Sequence, residues 1–385
     1  MRRRRYLQAA ALGASGLAGC NARDQPPNTP TSTPTDTTTP TESPTATPRE
    51  KPPAVDPPAY MDLLPKPHLK GTEETPDATF VRVDWDWYLS HYDTEMQFGA
   101  TSDENWTLEA NAGNLNERPP PQYRLLHTPV GSTIQVAGIV ANLIPEFPNL
   151  GPELVRQCGF EMVNESGKKA SRAGYNSHQS AEVTEIVSYA KPGFTFFIGI
   201  NVDSLKNALS GNDKRTPEGY PDTTVYAGSG RMSGRLLFIS EGWKEPVLLV
   251  ETADTKDVEL KIPFERVTGA GSTESVSSVE SVKWCLSEFI RNLSVQVGQI
   301  NGGRSKFRNS TYVQSPIRSL KNYDTVFTGL DVQSGTNATA QVATSNSKGK
   351  APTTEELMDL YGSNDGQVQT GHRPSVSYLL NRWRS

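Results

Sequence analysis

Hydrophobic and polar residues alternate from Thr79 to Leu89. Val81, Val83, Trp85, Trp87 and Leu89 fall on one face, and Arg82, Asp84, Asp86 and Tyr88 on the other. A period of two predicts a half-buried strand. Asp84 and Asp86 beside tryptophans are residue types found in calcium and sugar sites, but this spacing fits a solvated strand face better. Val130 to Leu143 is apolar nearly all round, which predicts a buried helix too short to cross a bilayer, with a strand as the alternative on its Val and Ile content. From Glu182 the pattern turns to sheet. Strands are expected at Val183–Ala190 and Phe194–Ile200, joined by the turn Lys191-Pro192-Gly193. Asp203 can cap a short helix through Leu205, Ala208 and Leu209 that stops at Gly211. Further strands are expected at Thr223–Ala227, Arg235–Ser240, Pro246–Glu251 and Val258–Ile262.

The clearest helical pattern follows. Ser277 and Glu280 have the spacing of a capping box, and Val279, Val282, Leu286, Phe289, Ile290, Leu293 and Val297 recur on one helical face. Beyond Gly303 periodicity fades, apart from a short helical pattern at Glu355–Tyr361. These elements predict an α+β fold, a largely antiparallel sheet with helices packed on one face and a disordered linker before it. The expected domain is 59–303, followed by a low-complexity, mostly disordered tail over 304–385. The end of that tail sets Tyr378, Leu379, Leu380 and Trp383 beside Arg382 and Arg384. That mix suits contact with an anionic membrane or a partner, although docking onto the chain's own domain explains it better.

The amino terminus changes the picture, because it is an address. Residues 1–19 place four arginines before a weakly apolar run ending at Leu17, the form of a signal peptide. Arg3, Arg4, Tyr6 and Leu7 fit a twin-arginine export signal. Leu17-Ala18-Gly19-Cys20 fits a lipobox, in which the Cys20 thiol takes the lipid and becomes the new N-terminus. One acyl chain binds a membrane only marginally, so a stable anchor implies a two-chain lipid. Residues 21–58 contain 11 Pro, 10 Thr and 2 Ser, a composition that cannot form a core. With Cys20 they make a disordered stalk over 20–58, either a bare spacer or an O-glycosylated one.

Composition narrows the partners. Hydrophobic residues make up 35%, with 31 Gly and 29 Pro, and the net charge is −5. Residues 59–303 hold 21 basic and 32 acidic side chains, whereas 304–385 hold 10 and 6. An acidic domain lacks the positive surface that nucleic acid requires. Expected partners are membrane lipid through Cys20 and a cell-surface protein or glycan.

Chemistry adds little. Cys158 and Cys285 could form a disulfide outside the cytoplasm, or pack as two buried apolar groups. The five histidines lie far apart, with no paired spacing for zinc. Cys158 with Met162 matches part of a blue-copper loop, but the loop histidine is missing. The glycines of 228–234 precede a strand rather than a helix, so a hairpin is expected there and not a phosphate cradle. No nucleophile elbow follows the signal, and the carboxylate pairs are adjacent rather than facing. An enzyme is not expected, nor is any cofactor. Sequons occur at Asn105, Asn164, Asn292, Asn309 and Asn337. Asn309 and Asn337 are the favoured glycosylation sites, because Asn292 falls in the expected helix.

The twin-arginine-like start, lipobox, Thr/Pro stalk and acidic domain together resemble secreted haloarchaeal lipoproteins. TFVRVDWDW at 79–87, FFIGINVDSLKNAL at 196–209 and the hairpins after them are similar to an uncharacterised family among these, over residues 77–300. The resemblance implies export and anchoring and carries no activity. The expectation is a lipid-anchored protein on the extracellular face of the membrane, with a structural or interaction role. The alternative is a solute-binding lipoprotein that partners a membrane transporter.

Overall fold

The computed structural model describes residues 50–64, 66, 78–91, 125, 128–129, 132, 150–159, 181–189, 194–216, 221–227, 236–251, 274–300, 320, 323–334, 337–362 and 366–383. The chain divides after Glu50, and Lys51–Ser385 form one unit. That unit starts earlier than residue 59, and Val55 of the expected stalk packs against the core.

Among the described residues, twelve strands form one sheet. In chain order they are β1 (Thr79–Asp84), β2 (Glu185–Tyr189), β3 (Phe194–Ile198), β4 (Lys214–Arg215), β5 (Thr223–Ala227) and β6 (Leu236–Ser240). The rest are β7 (Val247–Glu251), β8 (Val295–Ile300), β9 (Thr325–Ser334), β10 (Asn337–Ser345), β11 (Gln367–Arg373) and β12 (Val376–Trp383). Across the sheet the order is β11-β12-β10-β9-β8-β1-β2-β3-β7-β6-β5-β4. Every neighbouring pair is antiparallel. β5 and β6 pair antiparallel, and the glycine-rich segment 228–234 between them lies outside the described residues.

Five helices accompany the sheet among the described residues: α1 (Trp85–His91), α2 (Gly151–Gln157), α3 (Val202–Ala208), α4 (Glu280–Glu288) and α5 (Thr354–Tyr361). They cover both faces, not one. Val81, Val83, Ile186 and Phe197 point into a core closed by residues of α1, α2, α3 and α5. Phe80, Val187, Tyr189 and Phe196 point into a second core under α4 and the 3-10 turns Ala59–Asp62 and Val276–Ser278. The reason is visible in β3, where all five residues of FTFFI are buried. Strands this apolar need cover on each side.

Local chemistry moves several boundaries. β1 stops at Asp84 because its Oδ1 accepts a hydrogen bond from Trp87 N at 3.0 Å and opens α1. Trp85 and Trp87 remain buried, and their indole N–H groups donate to the carbonyls of Cys158 and Val332, each at 2.9 Å. Asn201, not Asp203, caps α3, accepting from Ser204 N at 3.1 Å. The expected Ser277 box does not form, since Val279 occupies the cap of α4 and makes no side-chain bond. That helix ends at Glu288, and Val295 and Val297 belong to β8, where pairing with β1 and β9 outweighs the helical spacing. Asn292 accordingly lies exposed on a turn rather than in a helix.

The largest correction concerns residues 304–385. The expected disordered tail supplies β9, β10, α5, β11 and β12, so four of the twelve strands come from it. β9 and β10 read as polar, but Thr325, Thr328, Thr344 and Ser345 are buried among neighbouring strands. α5 carries a complete capping box between Thr353 and Glu356, worth about 1 kcal/mol. β12 lies between β10 and β11, so Leu379 and Trp383 are core residues and not a membrane-touching end.

The expected helix at 130–143, apart from Ser132, and the strand at 258–262 lie outside the described residues. So do Arg3, Arg4, Cys20 and Asn309.

Candidate functional site

The densest polar constellation lies on the α4 side of the sheet, around Arg82. Register places Arg82 of β1 beside Gln296 of β8, Gln296 beside Gly329 of β9, and Gly329 beside Gln341 of β10. Above this row runs the segment 289–294, which leaves α4 and crosses to β8. Of this segment the Ser294 carbonyl accepts from Asp84 N of β1 at 2.8 Å, and side chains from the sheet supply much of the rest.

The Arg82 guanidinium donates from Nη1 to the carbonyls of Leu293 and Ser294, at 3.2 and 3.4 Å. Gln296 Nε2 donates to the carbonyls of Arg291 and Leu293, at 2.6 and 3.0 Å. Gln341 donates to the Glu288 carbonyl at 2.5 Å and accepts from Ile290 N at 2.7 Å. Arg82 Nη2 also donates to Glu185 Oε1 at 2.6 Å, and Tyr60 Oη donates to Gln296 Oε1 at 2.7 Å. Burial pulls the guanidinium value down, but the hydrogen bond and charge of Glu185, helped by Asp84, hold it above the ordinary range. Burial pushes the Tyr60 phenol up. Arg82 therefore stays charged and binds the strap of residues 289–294 directly, while neutral Tyr60 holds the Gln296 amide that does the same. The arrangement is a clamp on backbone.

A second network ties three elements on the opposite face. Arg156 of α2 donates to Glu153 at 2.5 Å and to Glu182, before β2, at 2.7 Å. Gln157 donates to Glu153 and to the Asn201 carbonyl, and accepts from Asn201 N at 3.0 Å. Burial raises Glu153, but the hydrogen bonds from Arg156 and Gln157 outweigh it and hold the carboxyl below its usual range.

The one serine–histidine contact described is His372 Nδ1 to Ser377 Oγ, at 2.7 Å. Ser377 commits its single proton to the Pro352 carbonyl at 2.5 Å. Nδ1 must therefore be the donor, so this histidine takes no proton from the serine.

No family model, curated protein or solved structure matches this chain.

Among the described residues, no group of three His, Cys, Asp or Glu side chains is placed to hold a metal ion. No helix among them is long and apolar enough to cross a membrane. The sequence-based sites do not converge. Cys158 and Cys285 are free, buried thiols in the two different cores, with the sheet between them, which overturns the disulfide. Burial raises both, pushing Cys285 up to about 12. Asn337 opens β10 half-buried, opposite Ser334. Asp84 and Asp86 make no metal cluster, since Asp84 serves as the cap of α1. Sequence reasoning missed the Arg82 clamp by assigning Arg82 to solvent, Gln296 to a helix and Gln341 to a tail. The available signal was an arginine inside the otherwise apolar run TFVRV.

Proposed function

We propose that this protein is a lipid-anchored surface protein whose folded unit is a rigid display or interaction module. In this reading Cys20 carries the lipid, residues 21–50 are the spacer, and the unit from Lys51 onward is held away from the membrane. The observation that carries the proposal is the order of the chain. A twin-arginine-like start and a lipobox ending at Cys20 lead into a Pro/Thr stretch, whose last residues from Lys51 onward already belong to the folded unit. The fold supports the module role. Its polar networks bind the protein's own backbone and elements, and its strands make one continuous antiparallel sheet. A solute-binding lipoprotein would ordinarily be built as two α/β lobes around a cleft, which this sheet does not resemble.

Cys20→Ser tests the anchor. The variant is expected in the culture medium, with the same thermal unfolding as the wild type. Retention of the variant in the membrane fraction overturns the anchor. The released protein can then be screened by thermal shift against metabolites, ions and glycans. A large, specific shift with one small metabolite would move the assignment to the solute-binding class.

A further inference from the structure

The two edges of the sheet are built differently. β4 is two residues long, Lys214 and Arg215, and pairs with only part of β5. A short, charged strand is a common way to blunt an edge against further pairing. β11 is the reverse. It runs seven residues, QVQTGHR, without proline and in unbroken register with β12. Gln367, Gln369, Thr370, His372 and Arg373 are exposed. Among the described residues it has a strand neighbour on one side alone.

We propose that this edge pairs with the same edge of a second copy, the two β11 strands running antiparallel about a two-fold axis at Thr370. Three observations choose this partner. The first is closure: β11 meeting β4 of another molecule would be a head-to-tail contact on a two-residue strand, whereas β11 on β11 is self-complementary and closed. The second is charge. With Thr370 opposite its own copy, Gln367 faces Arg373, Val368 faces His372 and Gln369 faces Gly371. No like charges stand opposite each other, and the two Arg373 side chains sit at opposite ends of the ladder, about 20 Å apart. The central pair is threonine on threonine, a favourable cross-strand combination. The third is cover. α5 packs over β12 and β11 with Leu357 and Tyr361 buried beneath it. Its Met358 is 39% exposed, the only large hydrophobic side chain so exposed among the described residues. The one apolar protrusion thus belongs to the helix that covers the open edge. Pairing would join two sheets into one of twenty-four strands with matched faces. The proposal does not depend on the lipid anchor.

The test uses the full chain in a Cys20→Ser background, which removes the lipid and a further thiol. Sedimentation velocity is expected to show a concentration-dependent dimer. Thr370→Lys, which sets two ammonium groups face to face, should weaken it about fivefold without lowering the melting temperature. Under mild oxidation Thr370→Cys should cross-link into a covalent dimer, because only that position meets itself. Gln367→Cys, opposite Arg373, should not. A chain that stays monomeric at all accessible concentrations overturns the proposal. So does a dimer indifferent to Thr370→Lys in which the two cysteine variants cross-link equally.

Discussion

Two adjacent rows on the α4 face of the sheet solve one packing problem in different ways. The first runs Tyr189, Phe80, Gly298, Phe327, Ala343 and Tyr378 across six strands. The second, one step along each strand pair, runs Val187, Arg82, Gln296, Gly329, Gln341 and Leu380. Each contains one glycine. In the apolar row the space above Gly298 is taken by the rings of its own cross-strand neighbours, with Phe80 and Phe327 meeting edge to face at 5.6 Å. In the polar row the space above Gly329 is taken by Leu293 and Phe289, which arrive from the strap. Removing a side chain from a strand lets rings close over the sheet in one case and lets a backbone segment cross in the other. The polar side chains of the second row follow from that crossing, because a buried backbone must find partners.

The rows should therefore differ in how they tolerate a methyl group. A Cβ on Gly298 would lie 2.2 Å from Phe80 Cε1 and 2.8 Å from Phe327 Cε1, between two buried rings. Gly298→Ala is expected to cost about 3 kcal/mol in urea denaturation, the upper part of the overpacking range. A Cβ on Gly329 would lie 2.5 Å from Leu293 Cδ1, 2.8 Å from Phe289 Cζ and 3.0 Å from the Val295 carbonyl, each overlap smaller than the closest one at Gly298. Gly329→Ala should cost about half as much. Adding Phe80→Leu should rescue Gly298→Ala and leave Gly329→Ala unimproved. Equal costs at the two glycines would contradict the distinction between rows.

How far these rows could be read from the sequence depends on where the apolar pattern was local. β2, β3, β5, β6 and β7 were legible because their own residues are β-branched or aromatic and flanked by turn residues. β9 and β10 were not. Runs such as TVFTG and NATAQVATS carry small polar side chains, and only a neighbour on each side makes them strands. β8 was hidden because Leu293 and Val297 happen to continue the helical spacing of α4, and the break at Phe289 is made by the strap. Arg82 shows the same limit. Its alternation with Val81 and Val83 is real, but the face it occupies is covered by a segment more than two hundred residues away. Periodicity reports which side chains share a face and is silent on what covers that face.

The second way to separate the rows is to remove the clamp. Arg82→Met keeps the length and apolar stem of the side chain but leaves the Leu293 and Ser294 carbonyls and Glu185 without this donor. Gln296 still serves Leu293, and Glu185 is partly exposed to water, so the loss is moderate. About 2 kcal/mol is expected. The effect should be local: amide exchange at 289–294 should quicken more than exchange in β1 or β8. Protection lost evenly over the sheet would mean that Arg82 supports packing in general and not the strap.

Between pH 9 and 10, before the buried phenols such as Tyr60 begin to contribute, alkaline pH should act on the apolar row and spare the polar one. Cys285 of α4 lies over the apolar row, its thiol 3.5 Å from the Thr325 carbonyl and 3.6 Å from that of Ala343. Burial raises it from 9.0 to about 12. A folded value above the unfolded one means that the neutral thiol is favoured in the fold. Its stabilisation is complete below pH 9 and is lost as pH climbs from 9 toward 12. The slope is about 1.4 kcal/mol per pH unit for each such group, and Cys158, raised in the same direction, adds its own. Cys285→Ala should remove one group's share of that slope, whatever its effect on absolute stability. Arg82→Met should leave the slope unchanged, since the guanidinium is held further into its charged range and does not titrate there. Urea midpoints between pH 8 and 10 measure both. A slope altered by Arg82→Met and untouched by Cys285→Ala would reverse the assignment of charge and neutrality to the two rows.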